Sequence, residues 1–193
     1  MLVDAKIDVW KRSEKKIFSV NRVDFDMEKF KNFCNKYQLK FPQEFVEYLK
    51  QYNDAELEPN YLDFGANACG IRYFYGTSGH AYCDIEWNYE IYKTRMPEKC
   101  IPIADEDCGN QICMSLAEDT YGKIYFWEHE TMDTDDREEC QLGFDDMYEL
   151  ASSFSDLLDK LEESPYEYEI EEEKHSFFKL VFLKYITFVS CQL

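Results

Sequence analysis

The hydrophobic period of this chain switches twice, and that switching limits its fold more than any single motif does. From 23 to 54 the apolar residues recur at steps of three and four. From 70 to 129 they come in short dense runs separated by polar, Gly and Pro residues. From 144 the helical step returns. "VDFDMEKFKNFCNKYQLKFP" (23–42) puts Met27, Phe30, Phe33, Cys34 and Tyr37 on one helical face, and Asp24 or Asp26 can cap its start. "FPQEFVEYLKQYND" (41–54) predicts a second helix. Pro42 falls in its first turn, where the missing N–H is not needed, and Phe45, Tyr48, Leu49 and Tyr52 form the inner stripe.

The middle runs read differently. "GIRYFYG" (70–76), "CIPIA" (100–104), "QICMSL" (111–116) and "KIYFWEHE" (123–130) predict strands, and "AEDTYG" (117–122) joins the last two as a hairpin. "DIEWNYEIYKTRMP" (84–97) fits either state: Ile85, Tyr89 and Tyr92 suit a helix, the aromatic density suits a strand, and Pro97 ends both. "FDDMYELASSFSDLLDKLEE" (144–163) predicts the clearest helix, with Met147, Leu150, Ala151, Phe154, Leu157, Leu158 and Leu161 on one face and Pro165 beyond its end. Helices, then strands, then a helix predict an α+β fold rather than βαβ repeats. There is no internal repeat. A single domain is expected over 1–163, with its core at about 25–162. An acidic linker and an apolar tail follow at 164–193.

That tail, "SFFKLVFLKYITFVSCQL", is interrupted by Lys179 and Lys184. Each lysine at a bilayer centre costs roughly 2.5–3.5 kcal/mol, so no membrane span is expected. With 45% hydrophobic and 17% aromatic residues the chain has the material for a sizeable core, which excludes global disorder.

Charge is segregated along the chain. Residues 1–103 hold 16 acidic and 15 basic side chains. Residues 104–173 hold 24 acidic and 3 basic, a net of −21, within a total of −19. A field of that sign repels phosphate backbones, so direct nucleic-acid binding is not expected. It attracts a basic partner, including a protein that itself acts on nucleic acid. None of the eight cysteines is spaced C-x-x-C, and the opening residues lack the continuous apolar core of a signal peptide. Reduced thiols and a cytoplasmic location are the expectation.

Catalytic and metal-binding patterns fail one by one. In "IPIADEDCGNQICMSL" (101–116), Asp105 and Asp107 fit the first and third positions of a calcium loop. Gly109, Asn110 and Leu116 then fall where an acidic or amide ligand, a glycine and a glutamate are needed. The stretch is most simply a turn between two strands, since Gly and Asn tolerate left-handed backbone angles. Three histidines, His80, His129 and His175, sit in no catalytic signature, and no G-x-S-x-G, H-E-x-x-H or phosphate loop occurs. No enzyme activity, cofactor or metal is expected.

Taken in order, "FPQEFVEYLKQYND", "GIRYFYG", "IPIADEDCGNQICMSL", "YGKIYFWEHE" and "ASSFSDLLDKL" resemble the SUKH superfamily, the Smi/Knr-type cell-wall-assembly-regulator domain, over about residues 25–162. They look like that family's Leu-Pro-led helix, Gly-Ile strand, Ile-Pro-Ile strand with a Gly-Asn turn, Gly-led aromatic strand and closing helix. Phe41 replaces the usual leucine before Pro42, and Asn53-Asp54-Ala55 replaces Asn-Gly-Gly. The resemblance implies a twisted mixed β-sheet flanked by helices. It also implies an immunity protein that binds and neutralises a cognate toxin, a nuclease or other nucleic-acid-modifying protein. The alternative it implies is an intracellular adaptor or a regulator of cell-wall assembly and signalling, with no toxin partner. The expected contact strip is Glu128, Glu130, Asp133, Asp135, Asp136, Glu138 and Glu139, with Tyr125 and Trp127 beside it as aromatic anchors.

Overall fold

The computed structural model describes residues 23–65, 67–129, 144 and 147–164, and the backbone of 16–19. Its elements are β1 (Lys16–Ser19), α1 (Met27–Tyr37), α2 (Gln43–Gln51), β2 (Ala55–Glu58), β3 (Tyr61–Asp63), β4 (Ala68–Phe74), α3 (Ile85–Tyr92), β5 (Cys100–Glu106), β6 (Gln111–Ser115), β7 (Ile124–Trp127), β8 (Tyr148–Ala151) and α4 (Phe154–Lys160). Strands β3 to β8 form one six-stranded sheet in sequence order, and β1 and β2 pair separately. The class is α+β. Each of these ladders is antiparallel, where a mixed sheet was expected. Successive strands are spatial neighbours, and antiparallel pairs can be joined by short turns, which parallel pairs cannot. The sheet curls, so that Phe64, just past β3, packs on Phe126 of β7 at 5.3 Å and on Tyr148 of β8 at 5.9 Å.

Local chemistry sets the helix ends. Asp26 Oδ1 accepts bonds from the backbone N–H groups of Glu28 (3.0 Å) and Lys29 (2.9 Å), filling donors that the first turn of α1 leaves open. Asp84 does the same for α3, accepting from the Trp87 N–H at 3.0 Å, and the ambiguous 84–97 segment is therefore helical at its start. Asn53 ties the end of α2 to the loop after β4. Its Oδ1 accepts from the Thr77 N–H at 2.8 Å and its Nδ2 donates to the Val23 carbonyl at 3.0 Å. Gly76 has to be glycine there, because a Cβ would collide with the side chains of Asn53 and Asp54.

The 144–163 helix is a correction. Tyr148–Ala151 is a strand paired with β7, and the helix begins only at Phe154. Two effects override the apolar period of that segment. The outer edge of β7 needs a hydrogen-bonding partner. In addition, Ser153 Oγ accepts from the Asp156 N–H at 3.1 Å while Asp156 Oδ2 accepts from the Ser152 N–H at 2.8 Å, a reciprocal cap that starts a helix at this point. Glu44 of α2 reinforces it, accepting from the Phe154 N–H at 3.0 Å and the Ser155 hydroxyl at 2.7 Å.

Phe154 sits at the centre of the main core. Its ring meets Phe45 at 5.0 Å, Tyr48 at 4.9 Å and Phe74 at 5.5 Å, joining α2, β4 and α4. The central strands are buried along nearly their whole length, which explains their continuous apolar runs. A second apolar cluster is made by Met96, Cys100, Cys113, Tyr125, Trp127 and Met147. Among the described residues no helix is long and apolar enough to cross a membrane.

Candidate functional site: an acidic rim

Two acidic segments distant in sequence meet at one end of the sheet. The β5–β6 turn carries Asp105, Glu106 and Asp107. The residues that follow β7, Glu128 and His129, lie against it: His129 Nδ1 and Asn110 Oδ1 are 2.8 Å apart, and the His129 N–H donates to the same oxygen at 3.1 Å. Hairpin register produces this contact. Gln111 pairs with Trp127, so the next residue outward on each strand is Asn110 or Glu128. Counting outward from the predicted "AEDTYG" turn was the signal that could have found it.

Each carboxylate of the turn has a distinct job. Glu106 is buried, and its Oε2 accepts from the Cys108 N–H at 2.9 Å and Asn110 Nδ2 at 3.0 Å, which fixes the turn. Asp105 lies 3.3 Å from Arg72 Nη1 and accepts from Gln111 Nε2 at 3.3 Å. Burial pushes its carboxyl above the ordinary range, with Arg72 and the Gln111 bond pulling the other way. Asp107 is exposed, with Arg72 Nε 3.7 Å from its Oδ1. An open cleft of about 520 Å³ borders the turn, lined by Asp63, Gly70, Glu106, Asp107 and Cys108 among others. These carboxylates are held by N–H donors and a guanidinium, and among the described residues no three His, Cys, Asp or Glu side chains gather as metal ligands do.

Arg95 locks the rim to the second apolar cluster. Its guanidinium lies over the Trp127 ring, 4.9 Å from the centroid, and its Nη2 donates to the His129 carbonyl at 3.2 Å. Sequence reasoning missed Arg95, and nothing local to "KTRMP" marks it.

The residues expected in the contact strip divide. Glu128 is at the rim and half-buried. Trp127 is fully buried and Tyr125 nearly so, both inside the second cluster, so neither stands beside the strip as an exposed anchor. β7 is an inner strand, hydrogen-bonded on both sides, and its aromatic side chains are consumed by the interior. Glu130, Asp133, Asp135, Asp136, Glu138 and Glu139 lie outside the described residues. Among the described cysteines six are free thiols. Burial pushes Cys34 up to about 11 and Cys69 up to about 12, which keeps both protonated and unreactive near neutrality.

A curated relative, described as "SPbeta prophage-derived uncharacterized protein YokK" of Bacillus subtilis (strain 168), is 28% identical over 149 residues, covering 75% of this chain and 70% of its own length. The sequence pattern of the SMI1 / KNR4 family (SUKH-1) matches residues 25–160, from the cap of α1 to the end of α4. The chain belongs to the SMI1 / KNR4 family (SUKH-1).

Proposed function

We propose that this protein is an immunity protein that binds a basic, cognate protein toxin and blocks it, acting by occupation and not by catalysis. The toxin is one that cuts or modifies nucleic acid. The observation that carries the proposal is the net of −21 confined to residues 104–173, of which Asp105, Asp107 and Glu128 come together on one rim. A protein that handles nucleic acid presents a basic groove for phosphates. An acidic rim can lie over that groove and accelerate association through long-range attraction. Membership of the SMI1 / KNR4 family and a relative described as prophage-derived support the same reading. Such a protein acts where the toxin acts, in the cytoplasm.

The test is co-expression with the protein encoded immediately upstream of this gene, followed by association kinetics over a salt series. The Debye length falls from about 30 Å at 0.01 M to about 8 Å at 0.15 M salt, so the on-rate should fall markedly across that range. Neutralising Asp133, Asp135, Asp136, Glu138 and Glu139 together should lower the on-rate at low salt and weaken protection. An unchanged on-rate with full protection would remove the acidic strip from the mechanism.

A further inference from the structure

Among the described residues three large apolar side chains stand exposed on one element and its lead-in: Tyr82 at 75%, and Trp87 and Ile91 at 42% each. Trp87 and Ile91 are one helical turn apart on α3, so they share a face. The ring of Tyr82 meets that of Trp87 edge-on at 6.2 Å. The same helix buries Ile85 and Asn88 on its other side, so the exposed face belongs to a docked helix and not to a fraying one.

The patch is held in shape from below. Asn88 Nδ2 donates to the carbonyls of Tyr82 (3.2 Å) and Asp84 (2.9 Å), and Asp84 caps the Trp87 N–H. The charges next to it are already matched: Lys36 Nζ lies 2.9 Å from Glu86 and 3.0 Å from Glu90. What remains open is apolar. Beyond its last turn α3 leads to the acidic rim, with Tyr92 packed on Trp127 at 5.4 Å and Arg95 bonded to the His129 carbonyl at 3.2 Å.

We propose that the Tyr82–Trp87–Ile91 face of α3 is the apolar centre of the surface that binds the basic protein partner, with the acidic rim as its charged margin. The inference rests on the immunity reading above and replaces the buried Tyr125 and Trp127 as anchors. An apolar patch rich in Trp and Tyr beside charged residues is the usual anatomy of a protein interface. Charge selects the occupant. A second copy of a chain carrying −19 would meet like-charge repulsion, whereas a basic partner gains from the rim while its own apolar surface covers Trp87.

The probe is the purified product of the gene immediately upstream, with its active site inactivated, titrated calorimetrically against the full chain. Trp87→Ala should raise the Kd on the order of 30-fold, mainly through a faster off-rate, and leave the melting temperature unchanged. Tyr82→Ala, outside the helix, should weaken binding in the same direction. If the wild-type protein binds and both variants bind equally well, the surface is wrong and the immunity reading stands. If the wild-type protein does not bind the probe, the immunity reading falls and this inference with it. If the free protein sediments as a dimer that Trp87→Ala dissociates, the face belongs to a second copy and the inference is overturned.

Discussion

Trp127 and Trp87 sit in similar sequence, each next to a glutamate within an aromatic run, and meet opposite fates. Trp127 is fully buried in the second apolar cluster with Arg95 laid over its ring; Trp87 is 42% exposed on the outer face of α3. Local sequence does not separate them. Layer position does. β7 is paired on both sides, by β6 and β8, and its side chains are covered on both faces of the sheet. α3 is an outer helix with one face to spend on the interior. An aromatic beside acids is therefore a candidate anchor only once its element's place in the layer order is known.

The largest expected effect breaks the comparison if it fails. Trp127→Ala should cost about 3–5 kcal/mol of stability, since it removes a large ring from a closed cluster, whereas Trp87→Ala should stay within about 0.5 kcal/mol. Urea unfolding of the two variants measures both. Equal losses would mean that the second cluster is not a packed interior.

Arg95 sharpens the contrast, because it belongs to both regions. Arg95→Ala should cost about 1–2 kcal/mol through the lost cation–π contact and the lost bond to the His129 carbonyl. Arg95→Lys should recover only part of that, because an ammonium cannot lie flat on the indole while donating sideways. Arg95→Ala should also loosen Glu128 and His129 from the turn, which amide exchange at His129 would report. Full recovery by lysine would reduce the role of Arg95 to charge alone.

Much of this fold was legible. Phe30 and Phe33 on α1, and Phe45, Tyr48 and Leu49 on α2, are buried as their spacing requires, and the turn at 117–122 joins two antiparallel strands. What was not legible depended on distant partners. β8 looked helical because Met147, Leu150, Ala151 and Phe154 keep a helical step; only its pairing with β7 makes it a strand, although Ser153 and Asp156 carried a readable cap. β2 and β3 are short, and each exists through the strand it meets. The candidate site was legible in its charge and not in its aromatics, since charge is a sum over residues and burial depends on tertiary placement.

The smallest effect concerns Asp105, which lies between the two regions, half-buried at the rim. Burial raises its carboxyl in the folded state, so the protonated form suits the fold better than the charged one, and Arg72 offsets only part of the cost. The sign follows from linkage. The contribution is fully present below the unfolded value of about 3.9 and is lost as pH rises through the higher folded value. An asparagine side chain at this position resembles the protonated carboxyl at every pH. Asp105→Asn should therefore equal the wild-type protein near pH 3 and exceed it slightly in melting temperature at pH 7. The difference between the two melting curves isolates this group from the many other carboxylates that titrate alongside it. If the variant is instead less stable at pH 7, and the gap widens with pH, the Arg72 pair outweighs desolvation. Asp105 would then belong energetically with the solvated carboxylates of the rim and not with the interior.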